Sequence, residues 1–340
     1  MIESFFFICG SIVGSFLNVC IHRWPQEKSI AKPSRSYCPH CEKTIPWYDN
    51  VPFVSYIVLR GRCRFCQKKI SFRYFFVELV TAVTFVGFYR YFGLTPELVI
   101  YLVMVSGFIV ATFVDFGHRI IPDQVTVGGM WVGLFFSLIY PALHQESARS
   151  IVWGRYLIWG LFVVAVLDFL IQFFRERNNK AKDKVEESED ANETPMVIMV
   201  VLTFLIFDII MFFLLRSPEI ASKPFMVYLK SVHAGIIGVL VGGGTIYAMG
   251  VLGDFLFKKE SMGGGDVKLM AMMGAFLGWQ SAFLTFFIAP FFGAIYGIIE
   301  KIRTKDTAIA YGPFLVLAAL IVLFFKNRII YLILNQYGLL

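Results

Sequence analysis

Ser261-Met262-Gly263-Gly264-Gly265-Asp266-Val267-Lys268 is a three-glycine turn that ends in a carboxylate and runs at once into apolar, helix-forming sequence. An acid in that position sits at a membrane boundary. Holding an ionised carboxylate beside hydrocarbon costs at least about 2.5–3.5 kcal/mol even on lenient insertion scales, so such a residue is a functional candidate by default. A second acid stands at another apolar-to-polar boundary far upstream, in Phe113-Val114-Asp115-Phe116-Gly117-His118-Arg119-Ile120-Ile121-Pro122-Asp123. Brought within a few ångströms of each other, Asp115 and Asp266 would form a proton-sharing pair.

The composition around these two stretches is that of a polytopic membrane protein. Of 340 residues, 57% are hydrophobic and 16% charged, 37 are Phe, and mean hydropathy is +0.68. These values exclude an ordinary soluble domain. The formal charge of +7 does not point to nucleic acid, because Lys and Arg lie in loops abutting apolar runs rather than on one basic face. They read as topology signals, and the partner is the lipid bilayer. The predicted fold is all-α, with about ten transmembrane helices and a small cytoplasmic module of four cysteines.

Residues 1–21 are the first span. Positive charge follows this apolar run instead of preceding it, which predicts an uncleaved anchor with its N-terminus outside. Gly10, Ser11, Gly14 and Ser15 in it suit close helix packing. Residues 22–72 form the cytoplasmic module: from His22 to Arg73 there are 11 Lys plus Arg against 3 Asp plus Glu. Residues 73–144 hold further spans, including the one that returns Asp115 to the cytoplasmic face. Glu78 in this stretch reads as snorkelling or pairing with Arg73.

Residues 145–230 read as an inserted helical hairpin, Ile151 to Phe174 and Pro195 to Leu215, joined by a charged linker from Arg175 with little to bury. Asp168 and Asp208 lie within its helices at different expected depths, roughly 10 Å and 18–20 Å from the inner end, and read as local helix contacts. Residues 231–340 carry the remaining spans, Val232 to Phe257, Val267 to Trp279, Ala282 to Ile299 and Ala308 to Leu334, and with them the glycine-rich turn. Gly242, Gly243 and Gly244 lack the lysine and hydroxyl of a phosphate loop and read as packing residues.

Cys38-Pro39-His40-Cys41 and Cys63-Arg64-Phe65-Cys66 are two Cys-x-x-Cys knuckles separated by 21 residues. Paired knuckles at such a distance can close a thiolate tetrahedron around a structural zinc ion. A metal-free redox role or unrelated thiols are the alternatives, and a reducing compartment disfavours disulfides. His40 reads as a bystander, and Cys9 and Cys20 as packing residues.

Two carboxylates in one site hold one proton between them. The ionised member can act as general base on water while the other donates to a scissile carbonyl. Gly263, Gly264 and Gly265 would let an extended substrate backbone approach the acid. Alone, such a turn equally suits a helix cap.

Several stretches occur in one order: Gly14 to Val19 with Arg23 and Pro25, the paired knuckles, Ile45 to Pro52, Arg60 to Cys63, Ile70 to Tyr74 with Glu78, Asp115 with Ile121 to Asp123, and Gly263 to Lys268. In this the chain resembles the bacterial type IV prepilin peptidases. The resemblance implies a multi-pass aspartic endopeptidase of the bacterial inner membrane, cutting the leader of type IV prepilins or pseudopilins at the cytoplasmic face. It further implies N-methylation of the new N-terminus with S-adenosylmethionine, although no methyl-donor motif is identifiable. By position the resemblance makes Asp115 and Asp266 catalytic, gives Asp123, Gly263, Gly264, Gly265 and Lys268 supporting places, and makes Cys38, Cys41, Cys63 and Cys66 the family tetrad. Two departures are the hairpin of 145–230 and Ala310, where the family motif around Tyr311-Gly312-Pro313 usually has proline. The rival readings are an ion transporter using Asp115, Asp168, Asp208 and Asp266, and a non-catalytic pilus or secretion assembly protein.

Overall fold

A computed structural model describes residues 1–33, 35–144, 148–180, 203, 206–214, 217, 222–258, 262–304 and 310–336. Among them the only β pairing is two isolated antiparallel bridges, and seven helices are long and apolar enough to cross a membrane. One of the seven, Gly264–Ile302, has the length of two crossings and breaks at Gly278 (φ 78°, ψ 168°). With the shorter apolar helix Asp123–Ile139 and the helical residues 206–214, this roughly matches the expected all-α membrane architecture.

The chain divides into two units, residues 1–129 with 293–316 and residues 130–292 with 317–340. In the first, α1 (Ile2–Arg23) packs along its glycines. A Cβ on Gly10 would fall 2.7 Å from the Cα of Ala82, and one on Gly14 would fall 2.8 Å from the Cα of Glu78. Small residues at this spacing let two backbones touch, as dispersion-driven packing in lipid requires. The cysteine module follows and includes the short α2 (Val54–Val58). Ser71 then caps α3 (Phe72–Phe92), its hydroxyl accepting the Arg73 N–H, and Gly93 at φ 66° ends it. Pro96 opens α4 (Pro96–His118), a position where a missing N–H costs nothing.

Glu78 departs from its expected role. It is buried and accepts the Phe53 N–H at 3.1 Å, so it joins α3 to the cysteine module instead of pairing with Arg73.

α5 (Asp123–Ile139) starts in the first unit and continues into the second. There α6 (Ala148–Lys180) and α7 (Phe225–Phe257) pack against each other, and α8 (Gly264–Thr304) carries the glycine-rich turn at its start. Ile158, Ile237, Val241 and Trp279 form a buried cluster. Gly238 faces Gly274 so closely that a Cβ on either would overlap the other's carbonyl, and Gly242 meets the Met270 carbonyl in the same way. The glycine run of α7 is therefore a packing seam. A final helix, α9 (Gly312–Gln336), completes the chain.

Helix limits differ from the apolar runs. α6 continues past Phe174 to Lys180, and Arg175, Glu176, Arg177 and Lys180 are straight-chain residues of good helix propensity. α7 begins at Phe225, ahead of Val232, and the break in α8 is fixed by the positive φ of Gly278. Ser261, the rest of the linker and most of residues 195–215 lie outside the described residues.

Candidate active site and metal centre

Asp115 stands in the last turn of α4 and is 5% exposed. The chain turns sharply after it, with Arg119 in the left-handed region (φ 56°) donating its N–H to the Asp115 carbonyl at 2.8 Å. The Asp115 carboxylate accepts the Gly312 N–H through Oδ2 at 2.9 Å. Gly312 opens α9, and a donor at a helix N-terminus favours an anion. A Cβ on Gly312 would lie 2.8 Å from Oδ2, so only glycine allows this approach. Sequence reading omitted Gly312 from the site. Its signal in the sequence is the Tyr311-Gly312-Pro313 tripeptide that follows Ala310.

Asp266 lies in the first turn of α8 and is half-buried, its N–H donating to the Gly263 carbonyl at 3.1 Å. Gly263 and Gly264 are exposed and Gly265 is half-buried; a Cβ on Gly264 would meet nothing within 4 Å. That open space suits an approaching backbone. Lys268 is exposed on the same turn, and Asp123 is exposed in the first turn of α5. Asp115 belongs to the first unit and Asp266 to the second.

Asp168 and Asp208 are held by neighbouring helices. The Tyr247 hydroxyl donates to Asp168 Oδ2 at 2.6 Å. Both oxygens of Asp208 are engaged, Oδ2 by Arg155 at 3.0 Å and Oδ1 by His233 Nε2 at 2.7 Å. Neither acid pairs with the other, as their different depths implied.

The four cysteines converge as the spacing predicted. The Sγ atoms of Cys38, Cys41, Cys63 and Cys66 all lie within 4.8 Å of one another, and Cys38 and Cys66 are 3.8 Å apart. Zn–S bonds of about 2.3 Å in a tetrahedron require a sulfur separation of ~3.8 Å, so the donor set fits a tetrathiolate ion. His40 is exposed and outside the cluster.

The two knuckles repeat one fold. Cys38 N–H binds the Lys43 carbonyl and Glu42 N–H the Cys38 carbonyl; Cys63 N–H binds Lys68 and Gln67 N–H binds Cys63 in the same pattern. Glu42 and Gln67 both take positive φ, 55° and 57°, and each knuckle closes with one antiparallel bridge. The hydrogen bond from the Cys66 N–H, with further ones from Phe65, Cys38 and Cys66, lowers the Cys63 thiol to about 7. At Cys41 the Lys43 N–H pulls downward, but burial and hydrogen bonds to the other three thiols push it up to about 11. Arg64 binds Asp49 through two 2.6 Å hydrogen bonds and holds that carboxyl below the usual carboxylate range, tying the second knuckle to the loop between them.

Two family models match the chain: the bacterial peptidase A24 N-terminal domain over residues 8–92, and the type IV leader peptidase family over residues 194–298. The chain belongs to the type IV leader peptidase family. A prepilin leader peptidase/N-methyltransferase of Myxococcus xanthus is 30% identical over 300 residues, covering 88% of this chain and 63% of that protein. One of the same name from Legionella pneumophila is 27% identical over 343 residues, covering 94% of this chain and 89% of the relative. A type 4 prepilin-like proteins leader peptide-processing enzyme of Escherichia coli is 27% identical, covering 93% and 91%. No solved structure matches.

Within this leader peptidase family member, the N-terminal match takes in α1, the cysteine module and α3. The second match contains Asp266 and Asp208 and begins inside the stretch read as an insertion. Asp115 falls between the two matched ranges. The matches to these two relatives, at 88–94% of this chain, are too long to omit either Asp115 or Asp266.

Proposed function

We propose that the protein is a bifunctional prepilin-processing enzyme: an aspartic endopeptidase that removes the leader of type IV prepilins or pseudopilins, and a methyltransferase that modifies the new N-terminus. The observation that carries this reading is the similarity, over 88–94% of this chain, to enzymes named prepilin leader peptidase/N-methyltransferase, in ranges that include both acid motifs. The reaction is placed at the cytoplasmic face of a bacterial inner membrane, where the basic loops belong.

Asp115 and Asp266 are the two catalytic acids. They share one proton; the ionised carboxylate takes a proton from water as its oxygen attacks the scissile carbonyl, and the protonated one donates to the carbonyl oxygen. Collapse of the tetrahedral intermediate breaks the C–N bond, and the departing amine takes up a proton. Gly312 orients Asp115 by its N–H, and the side-chain-free turn at 263–265 admits the substrate strand beside Asp266. Asp208 also lies inside the matched range, but Arg155 and His233 occupy its oxygens, which suits a structural ion pair.

Cys38, Cys41, Cys63 and Cys66 would hold a zinc ion, which would supply a cross-link between the knuckles. S-adenosylmethionine, when bound, would supply the methyl group for the new N-terminal amine.

Purified protein incubated with a basic-leader prepilin tests the reading. The wild type is expected to release the leader, and Asp115→Ala and Asp266→Ala to lose at least about 10³-fold in rate. Intact substrate with the wild type, or normal cleavage by both variants, rejects it. Mass measurement of the product N-terminus reads methylation separately.

A further inference from the structure

Asn50 to Leu59 is a run of ten residues without a charge, too short to span a membrane and of a length that suits a re-entrant or interfacial segment. The structure lays this run beside α1 and α3, not beyond their basic ends. Phe53 stacks on Phe7 of α1 with ring centroids 5.6 Å apart and meets Phe75 of α3 edge-on at 5.5 Å. Its N–H donates to Glu78, whose Cα lies opposite Gly14 of α1. At about 1.5 Å per residue, Glu78 stands roughly 8 Å inward of Arg73 and Gly14 roughly 13 Å inward of Arg23, so Phe53 shares a level with the spanning parts of both helices. Backbone at that depth must find its partners within the protein. Phe53 takes a φ of 60°, uncommon for a bulky side chain, in the turn where its N–H meets Glu78. The N–H groups of Ser55, Ile57 and Leu59 bind the Val51, Phe53 and Ser55 carbonyls. On the outer side, Val54, Ile57 and Val58 share one face of α2 and are 55% to 68% exposed. A groove runs between this segment, at Val51 and Val54, and the exposed Ile8, Ile12 and Phe16 of α1.

We propose that residues 47–58 form a re-entrant segment seated in the cytoplasmic leaflet of the bilayer, with lipid acyl chains against Val51, Val54, Ile57 and Val58 and in the groove beside α1, and that Glu78 holds the segment there. The occupant is lipid because one wall of the groove is the exposed stripe of a spanning helix, so the two apolar surfaces are continuous. Left in water, the outer face would be an unpartnered apolar patch. The ends of the segment fit the headgroup level. Trp47, 79% exposed, and Tyr48 stand at its entry, with Lys43 and Arg60 on either side, and such rings and basic side chains gather at the membrane interface. Asp49, the only charge between Lys43 and Arg60, has both oxygens on Arg64. The inference uses the membrane placement of α1 and α3 and is independent of the chemistry proposed above. It moves part of the module expected in the cytoplasm into the bilayer.

The test uses the full chain in phosphatidylcholine–phosphatidylglycerol vesicles, with one nitroxide per chain attached through a ketone-bearing noncanonical residue at Val54, Ile57, Ile12 or His40, which leaves every cysteine untouched. All four side chains are exposed, so the label displaces no packing, and circular dichroism with thermal unfolding confirms that each chain has folded. Collision with oxygen is expected to exceed collision with a water-soluble nickel chelate at Val54 and Ile57, as at Ile12, and the order to reverse at His40. Nickel-dominated collision at Val54 and Ile57 overturns the proposal, because the face then lies in water. Protection from both probes also overturns it, because protein then covers the face, whether a second copy or a substrate helix. Glu78→Leu removes the acceptor of the Phe53 N–H and should raise nickel access at Ile57 roughly several-fold, whereas Glu78→Gln keeps an acceptor and should not. Equal signals in these two variants overturn the part assigned to Glu78.

Discussion

Gly312 shows how a residue without a side chain can belong to an acid site. Its N–H reaches Asp115 Oδ2 at 2.9 Å, and the space a Cβ would occupy is already taken by that oxygen and by Ile121. Gly312→Ala is therefore expected to displace the Asp115 carboxylate and reduce leader cleavage by about 10–100-fold in kcat, with the helix intact by circular dichroism. Unchanged kcat would show that the contact does not position the acid. Sequence named the acids because carboxylates beside apolar runs are costly and therefore conspicuous. It passed over Gly312 because a backbone donor carries no signature of its partner, which lies 197 positions away in the chain.

At the level of elements, the cysteine module was legible because metal-site spacing is local: two short knuckles suffice. Its internal duplication went unread in the sequence and shows once the two knuckles are seen to fold alike. Ser36-Tyr-Cys-Pro-His-Cys-Glu-Lys-Thr-Ile45 and Gly61-Arg-Cys-Arg-Phe-Cys-Gln-Lys-Lys-Ile70 align cysteine for cysteine. Removing zinc with a chelator is expected to unfold the module, since tetrathiolate binding energy is folding energy. The expected readouts are loss of one metal per chain and faster proteolysis between Arg35 and Lys69; unchanged proteolysis would show that the module folds without metal.

A second element-level prediction concerns the short helix Pro141–His144, which closes against α7. Burial pushes the His144 imidazole down to about 4, and its Nε2 makes a 2.9 Å hydrogen bond with the Ala275 carbonyl, so the neutral ring donates there. The unfolded chain takes up this proton near pH 6.5 and the folded chain does not. Stability is therefore full above about pH 6.5 and declines towards pH 4, by up to roughly 3 kcal/mol. Thermal unfolding between pH 7.5 and 4.5 checks this: His144→Gln should remove that part of the pH dependence, and an identical slope in the variant would assign it elsewhere. Nothing local in the sequence reveals that a histidine between two apolar segments will be covered.

For the whole molecule, the expected consequence of an acid pair is non-additivity. Asp115→Ala with Asp266→Ala should cut no more slowly than either single variant, because two groups acting as one are lost together. Additive losses in the same cleavage assay would mean the acids act separately. The hydropathy pattern by itself determined a helical membrane protein of many spans, since lipid leaves backbone polar groups no partners but their own helix. The ordered motifs also pointed to its family and to four cysteines that converge. Only the tertiary structure decided that Glu78 turns to the cysteine module, that Asp208 is held by Arg155 and His233, and that Gly312 donates to Asp115. These depend on which distant side chain or backbone group fills a given space, and packing settles that only after the helices have formed.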